Sequence, residues 1–264
     1  MAGTTNELVL IGGGNMGSAL LGGLLAGGWD PQGIVVVEID ASKRAGLESR
    51  FGVRTSAEIV GGNGAVIAVK PGDAVDVCAR VAALGTPRAL SIAAGISAAT
   101  LQAAAGTGCA VVRAMPNTPA LVREGATAIT GSSACGDADL DWAESVLSAV
   151  GLVVRVPESQ MDAVTAVAGS GPGYVFLFAE ALLAAAIDEG LPADVADALV
   201  RQLFKGAGAL LASSGETPGE LRERVTSPNG TTFAGLSVLE NDGLRATVHK
   251  AVRAAADRSA EMGK

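Results

Sequence analysis

Short runs of aliphatic and β-branched residues, each followed by a longer stretch of helical character, alternate through the first half of the chain. ELVLI at 7–11, IVVVE at 34–38, AVIAV at 65–69, ALSI at 89–92 and AVVRA at 110–114 have the length and composition of buried strands. Strands alternating with helices predict a parallel, doubly wound sheet. GATAIT at 125–130 and LVVRV at 152–156, separated by the helix-like DADLDWAESVLSAV, extend it. Beyond Pro157 no further β-branched run occurs, and Ala, Leu and Glu dominate. Helices are expected at about 159–169, 173–189, 193–213, 217–225, 231–241 and 243–262. The predicted architecture is α/β: a doubly wound domain over 1–157, then an all-α domain over 158–264.

YVFLFAEALLAAAI, within the helix at 173–189, is apolar on nearly every side. A helix of that kind is expected to be buried all round, between subunits, which predicts a homo-oligomer. Composition narrows the partners further. With 49% hydrophobic residues the 264-residue chain can bury a real core, and its net charge of −8, without any Lys/Arg run, does not support a nucleic-acid or anionic-membrane partner. Cys78, Cys109 and Cys135 form an odd set with no C-x-x-C spacing, read as reduced bystanders rather than a disulfide frame or a metal site. No signal-type N-terminus is apparent, and charges or glycines are expected to break every apolar run before membrane length, so a soluble, cytoplasmic protein is expected.

The first expected strand runs into Gly12-x-Gly14-x-x-Gly17, at the opening of a helix. Gly12 permits the tight turn, Gly14 lets the backbone reach a pyrophosphate, and Gly17 lets helix and strand pack closely. Gly13, Asn15 and Met16 complete this dinucleotide (Rossmann) loop, whose helix start offers N–H groups to the phosphates. Glu38, at the end of the second strand, stands where an acid accepts from the adenosine ribose and favours NAD, whereas Ser42, Lys43 and Arg44 just beyond suit a 2′-phosphate. NADPH and NADH therefore both stay open. Ala68, Val69, Lys70 and Pro71 end the strand at 65–69, at the sheet edge where such folds bind ligands. Ala93, Ala94 and Gly95 follow the next strand and are small enough for a flat nicotinamide ring. Asn117, held between Pro116 and Pro119, ends the one after it.

A carbonyl reduction calls for a general acid near the oxygen. His249, the only histidine, lies in the last expected helix, and beyond residue 157 the only lysines are Lys205, Lys250 and Lys264, none in a loop motif. A protonated cyclic imine needs no such acid, because holding it in place is most of the catalysis. RVTSPNGTTFAGL, 224–236, is suited to that task. The N–H groups of Gly230 and Thr231 at a helix start, with the Ser227 hydroxyl, are expected to bind a substrate carboxylate, and Thr232 to hydrogen-bond the ring nitrogen.

IGGGNMGSAL, AVKP, SIAAGI, RAMPNTPA, AVAGSGPGYVFLFAEAL and LRERVTSPNGTT, in that order and over nearly the whole chain, resemble the pyrroline-5-carboxylate reductase family. The resemblance implies reduction of 1-pyrroline-5-carboxylate to L-proline by NADPH or NADH, an N-terminal Rossmann domain, a helical dimerisation domain, and often a ring of dimers. It places Gly12 to Gly17 in the dinucleotide loop, Ala68 to Pro71 beside the ribose, Ala93 to Gly95 against the nicotinamide, and Ser227, Gly230, Thr231 and Thr232 on the substrate. GSGPGY at 169–174 resembles the family's helix break. The chain departs from the family at Asn229, where glycine is common, at Arg224, where an amide is common, and at Thr55 or Ser56, where asparagine is common; Glu38 is less usual for a strictly NADPH-dependent member. A β-hydroxyacid dehydrogenase shares the glycine loop but requires a lysine on the helix after the sheet, and 159–190 contains none. A dinucleotide-sensing regulator of the same fold is expected to show damage in the hydroxyl loop, which is intact here.

Overall fold

The computed structural model describes residues 6–263. Its sheet is built from β1 (Leu8–Ile11), β2 (Ile34–Val37), β3 (Arg54–Ser56), β4 (Ala65–Ile67), β5 (Arg88–Ser91), β6 (Ala110–Met115), β7 (Gly125–Gly131) and β8 (Gly151–Arg155), in the spatial order β3-β2-β1-β4-β5-β6-β7-β8. Helices α1 (Asn15–Ala26), α2 (Ala41–Phe51), α3 (Pro71–Ala83), α4 (Ala98–Ala105) and α5 (Asp137–Leu147) connect the strands. Alternate residues along β1 feed two cores. Leu8 and Leu10 join Leu20, Leu21 and Leu24 of α1 on one face, while Val9 and Ile11 join Ala74, Val77 and Val81 of α3 on the other. Each fully buried leucine is worth roughly 1.5–3 kcal/mol, which is why such short strands hold their register.

Two features of the sheet differ from the sequence reading. β7 runs antiparallel to β6, pairing Val112 with Gly131 and Met115 with Ala128. Only residues 116–124, with a 3-10 turn at Thr118–Val122, separate the two strands, and a parallel return needs a longer crossover. β3 was not expected, since Arg54, Thr55 and Ser56 form no apolar run; it exists because the outer edge of β2 is open to it.

After β8 come α6 (Met161–Val164), a π-helical turn at Thr165–Gly169, α7 (Gly171–Asp188), α8 (Ala193–Ser213), α9 (Pro218–Arg224), α10 (Thr231–Asn241) and α11 (Leu244–Met262). Pro172 stands in the first turn of α7, directly after the π-helical turn and Ser170, so the helical run is interrupted where the GSGPGY segment implies. The described residues form two compact units, one reaching to Ser170 and taking in the chain again from Ala255, the other Gly171–Ala254. The change of texture at Pro157 thus falls at the end of β8, while the turns that follow it still pack with the sheet.

The second unit lacks cover. No residue of α7 is buried, and Phe176, Leu177, Leu203 and Leu210 stay about half exposed or more. All-round burial of this helix is therefore not achieved within one chain. The expectation that every apolar run is broken also fails: Glu158–Asp188 is, by length and composition, long and apolar enough to cross a membrane. Phe178 meets Phe204 edge to face, with centroids 6.2 Å apart, beside an apolar groove of about 500 Å³ that Tyr174, Leu244 and Val248 also line. A surface of this kind in water calls for a partner surface.

Cys78 and Cys109 are buried in the sheet unit, Cys135 is half-buried, and all are free thiols. Burial pushes the Cys78 thiol up to about 11, and burial reinforced by the neighbouring thiols pushes Cys109 up to about 12. In the folded protein at pH 8, Cys78 and Cys109 are expected to resist iodoacetamide and to react once the chain is unfolded; rapid native labelling of either, read by mass spectrometry, contradicts their placement. The folded state holds these protons more tightly than the unfolded one. The stabilisation is therefore complete below the unfolded thiol value near 8.5 and is lost as pH rises towards 11–12.

Candidate active site

The order of the strands reverses between β1 and β4, which is where an open α/β sheet binds its ligand. The glycine loop follows β1, and Ala68 to Pro71 follow β4. Each glycine has a local geometry that requires or permits glycine. Gly12 has φ +105°, and a Cβ on it would lie 2.4 Å from the Ala68 carbonyl oxygen. A Cβ on Gly17 would lie 2.0 Å from the Gly12 carbonyl oxygen, so helix and loop touch there. A Cβ on Gly14 meets nothing within 4 Å, leaving the space that a pyrophosphate needs against the backbone. Gly14 is also the N-cap of α1 and supplies no side chain to it, so the first-turn N–H groups stay available to an anion. These residues fit a dinucleotide.

A cleft of about 540 Å³ opens beside the loop, lined by Gly12, Gly14, Glu38, Ala68, Val69 and Lys70. Asn15 begins α1, Met16 packs on the core, and Pro71 begins α3 with Lys70 as its N-cap. Ile39, Lys43, Ile59, Asp73, Asp76 and Arg80 also line the cleft. Apart from Lys43 the sequence did not single these out, although Asp73, Asp76 and Arg80 lie along the helix that follows the AVKP segment. Glu38 is 9% exposed, and its carboxylate accepts from Gly13 N at 3.1 Å and Asp40 N at 3.0 Å. Arg44 points back along the chain, with Nη1 donating to the carbonyls of Glu38 (2.7 Å) and Ile39 (2.9 Å). Thr55 donates to Glu48 and Ser56 to the Glu58 carbonyl, so both hydroxyls are engaged within their own edge of the sheet.

Ala93, Ala94, Gly95 and Asn117 do not line that cleft. Ala93 is 3% exposed, and its N–H is 3.3 Å from Ser91 Oγ. Gly95, at φ +76°, lies against Met262 of the returning C-terminal segment. Asn117 is a brace: its Nδ2 donates to the Ala168 carbonyl at 3.0 Å and its Oδ1 accepts from Ala126 N at 2.9 Å, tying the turn after β6 to the π-turn and to β7. One N–H and one acceptor site of the amide are used in this way. Beside Gly95 is a cavity of about 190 Å³ lined by Arg113, Glu158, Asp162 and Ser259, where Arg113 and Glu158 form an ion pair and Ser259 donates to Asp162 at 2.7 Å. The sequence reading passed over this cluster, whose members are far apart along the chain.

In the second unit, residues 225–230 join α9 to α10. Gly230 is the N-cap of α10 and carries no capping side chain. The N–H groups of Thr231, Thr232 and Phe233 have no partner among the described residues, as expected for a first helical turn. Gly230 is different, because its N–H donates to the Ser227 carbonyl at 3.0 Å and closes the turn. The Gly230 N–H is therefore not free for the carboxylate expected of it, leaving those of Thr231 and Thr232, while Gly230 allows a close approach: a Cβ there would lie 2.4 Å from Ser227 Oγ. Nearby hydroxyls divide into two groups. Thr226 and Ser237 bond to helix carbonyls, whereas the hydroxyls of Ser227, Thr231 and Thr232 have no partner among the described residues. Asn229 has φ +59°, the left-handed conformation that explains why glycine is common there and why Asn is the tolerated substitute. Arg224 pairs with Glu216 at the surface, away from these hydroxyls.

A Rossmann sheet with an intact dinucleotide loop, followed by a helical unit with an uncovered apolar face and an anion-ready hydroxyl loop, defines a nicotinamide-dependent reductase that works as an oligomer. The family model for pyrroline-5-carboxylate reductase dimerisation matches residues 158–262, and that for NADP oxidoreductases, coenzyme F420-dependent, matches 7–95. A pyrroline-5-carboxylate reductase of Pseudomonas aeruginosa is 41% identical over 98% of this chain and 97% of its own. The structure of such a reductase from Coxiella burnetii superposes with a TM-score of 0.93 at 36% identity, covering 99% of both chains, and that from Plasmodium falciparum, with NADP bound, with 0.83 at 28%, covering 98% of both. The chain belongs to the pyrroline-5-carboxylate reductase family, and it carries the family's dimerisation domain over the helices left uncovered in one copy.

Proposed function

We propose that the chain reduces 1-pyrroline-5-carboxylate to L-proline, the last step of proline biosynthesis, as a soluble cytoplasmic homo-oligomer built as a ring of dimers. The nucleotide half, 1–157, binds NADPH or NADH through Gly12 to Gly17, Glu38 and Ala68 to Pro71, with Ala93 to Gly95 and Asn117 shaping the turns at the ends of β5 and β6. The other half, 158–264, dimerises and binds the substrate. The observation that carries this reading is the set of free hydroxyls and N–H groups at the start of α10, in a chain similar over its whole length to reductases of that name.

Bound NADPH or NADH supplies the hydride. The ring nitrogen arrives already protonated, so the protein need supply no proton in the step that reduces the C=N bond. The N–H groups of Thr231 and Thr232 and the Ser227 hydroxyl hold the carboxylate, where the positive end of the α10 dipole favours an anion. The Thr232 hydroxyl accepts from the ring N–H and fixes which face of the ring is presented. Positioning, rather than acid catalysis, then accounts for the rate, in keeping with an only histidine, His249, that is exposed on α11.

Thr232→Val keeps the shape of the side chain and removes the acceptor. Its kcat is expected to fall at least about tenfold, the cost of losing one hydrogen bond to a charged N–H. Ser227→Ala is expected instead to raise KM for the substrate and leave kcat nearly unchanged. Steady-state oxidation of NADPH and NADH with pyrroline-5-carboxylate checks both. Wild-type protein that binds cofactor but shows no substrate-dependent oxidation is a sensor rather than a reductase.

A further inference from the structure

We infer that this reductase discriminates against the 2′-phosphate and uses NADH in preference to NADPH, with Glu38 and Asp40 as the residues that decide it. The inference rests on the reading of the cleft as the dinucleotide site and narrows it to one cofactor.

Glu38 lines the cleft with a nearly buried carboxylate, held between the glycine loop and the turn after β2 by N–H donors from Gly13 and Asp40. It cannot swing away without leaving both donors unpaired. Each carboxylate oxygen still has room for a further donor, so the pair of hydroxyls on an unmodified adenosine ribose is a good match. A 2′-phosphate has only acceptors and brings negative charge against a fixed anion.

Several of the groups that would offset that charge are already engaged. The start of α2 would be an anion site, but Asp40 occupies it: its Oδ1 accepts from Ser42 N (2.8 Å), Lys43 N (3.1 Å) and Ser42 Oγ (2.7 Å). Those same bonds, led by the Ser42 hydroxyl, lower the Asp40 carboxyl below its ordinary value and keep it charged. Arg44 is turned onto the carbonyls of Glu38 and Ile39. Arg80, deeper along the cleft wall, is 3.7 Å from Asp76. Lys43 and Lys70 remain as cations lining the cleft, set against Glu38, Asp73 and Asp76.

The test is direct binding. Titration of the purified full-length protein, followed by nicotinamide fluorescence without substrate, is expected to give a Kd for NADH at least about tenfold below that for NADPH, a difference of about 1.4 kcal/mol. Two variants remove the charge in different ways. Glu38→Gln keeps the size of the side chain, and Asp40→Ser keeps an N-cap for α2. Each is expected to shift the ratio of the two Kd values towards NADPH, and the double variant further than either. Wild-type protein that binds NADPH as tightly as NADH overturns the inference, as does a pair of variants that weaken both cofactors equally, the result of a purely structural role. Protein that binds neither overturns the site itself. NADH selectivity without pyrroline-5-carboxylate-dependent oxidation leaves the inference standing and removes only the proposed reaction.

Discussion

Gly14→Val is expected to unfold at the same temperature as the wild type and yet lose roughly a hundredfold in affinity for the dinucleotide, near the upper end of the overpacking range of about 1–3 kcal/mol. Gly14 has φ −68°, which any residue adopts, and a Cβ there meets nothing within 4 Å. The added side chain therefore disturbs no protein contact and fills only the space beside the first turn of α1. Gly17→Ala behaves differently, because its Cβ would lie 2.0 Å from a backbone oxygen and must push α1 away from the loop. Thermal unfolding together with fluorescence titration separates the cases: binding alone is lost at Gly14, binding and stability together at Gly17. A Gly14→Val protein that binds normally shows that the loop does not carry the pyrophosphate.

The second large effect is expected far from the cofactor loop. Glu158→Ala should destabilise the protein by about 3 kcal/mol, the cost of leaving a buried charge without its partner. Arg113 has 7% side-chain exposure, and Glu158, at 39%, is its ion-pair partner. Solvent at Glu158 tempers the effect to the low end of the range for buried pairs. Asp162 shares the cavity but already accepts from Ser259. Arg113→Met combined with Glu158→Ala should cost less than Glu158→Ala alone, since it removes the stranded charge along with its partner. In urea, the midpoint is expected to fall for Glu158→Ala and recover in the double variant with little change in slope. A Glu158→Ala midpoint equal to wild type shows that solvent already compensates Arg113.

Much of the sheet was legible because its strands are buried on both faces. IVVV of β2 and LVLI of β1 have no polar side to mislead, and the loop after β1 has glycines where a turn, an open space and a close contact each require one. The antiparallel return of β7 was also within reach, through the shortness of 116–124, but strand composition carries no direction. β3 was not legible: a three-residue edge strand takes its conformation from β2, not from its own side chains. In the hydroxyl loop the residue types marked a candidate site, yet which groups in it stay free depended on hydrogen bonds. Gly230 closes the turn while Ser227, Thr231 and Thr232 stay open, and Asn229 has a left-handed backbone that Asn tolerates better than most non-glycine residues.

By itself, then, the sequence determined the alternating sheet, the dinucleotide loop, the helical second half and the family, because each depends on local periodicity or on short contiguous motifs. Tertiary structure alone decided that Asn117 braces two turns, that Arg44 donates to the carbonyls of Glu38 and Ile39 while Asp40 fills the start of α2, and that Arg113, Glu158, Asp162 and Ser259 meet in one cavity. Those outcomes depend on which donors and charges folding brings within about 3 Å of one another, a distance unrelated to separation along the chain.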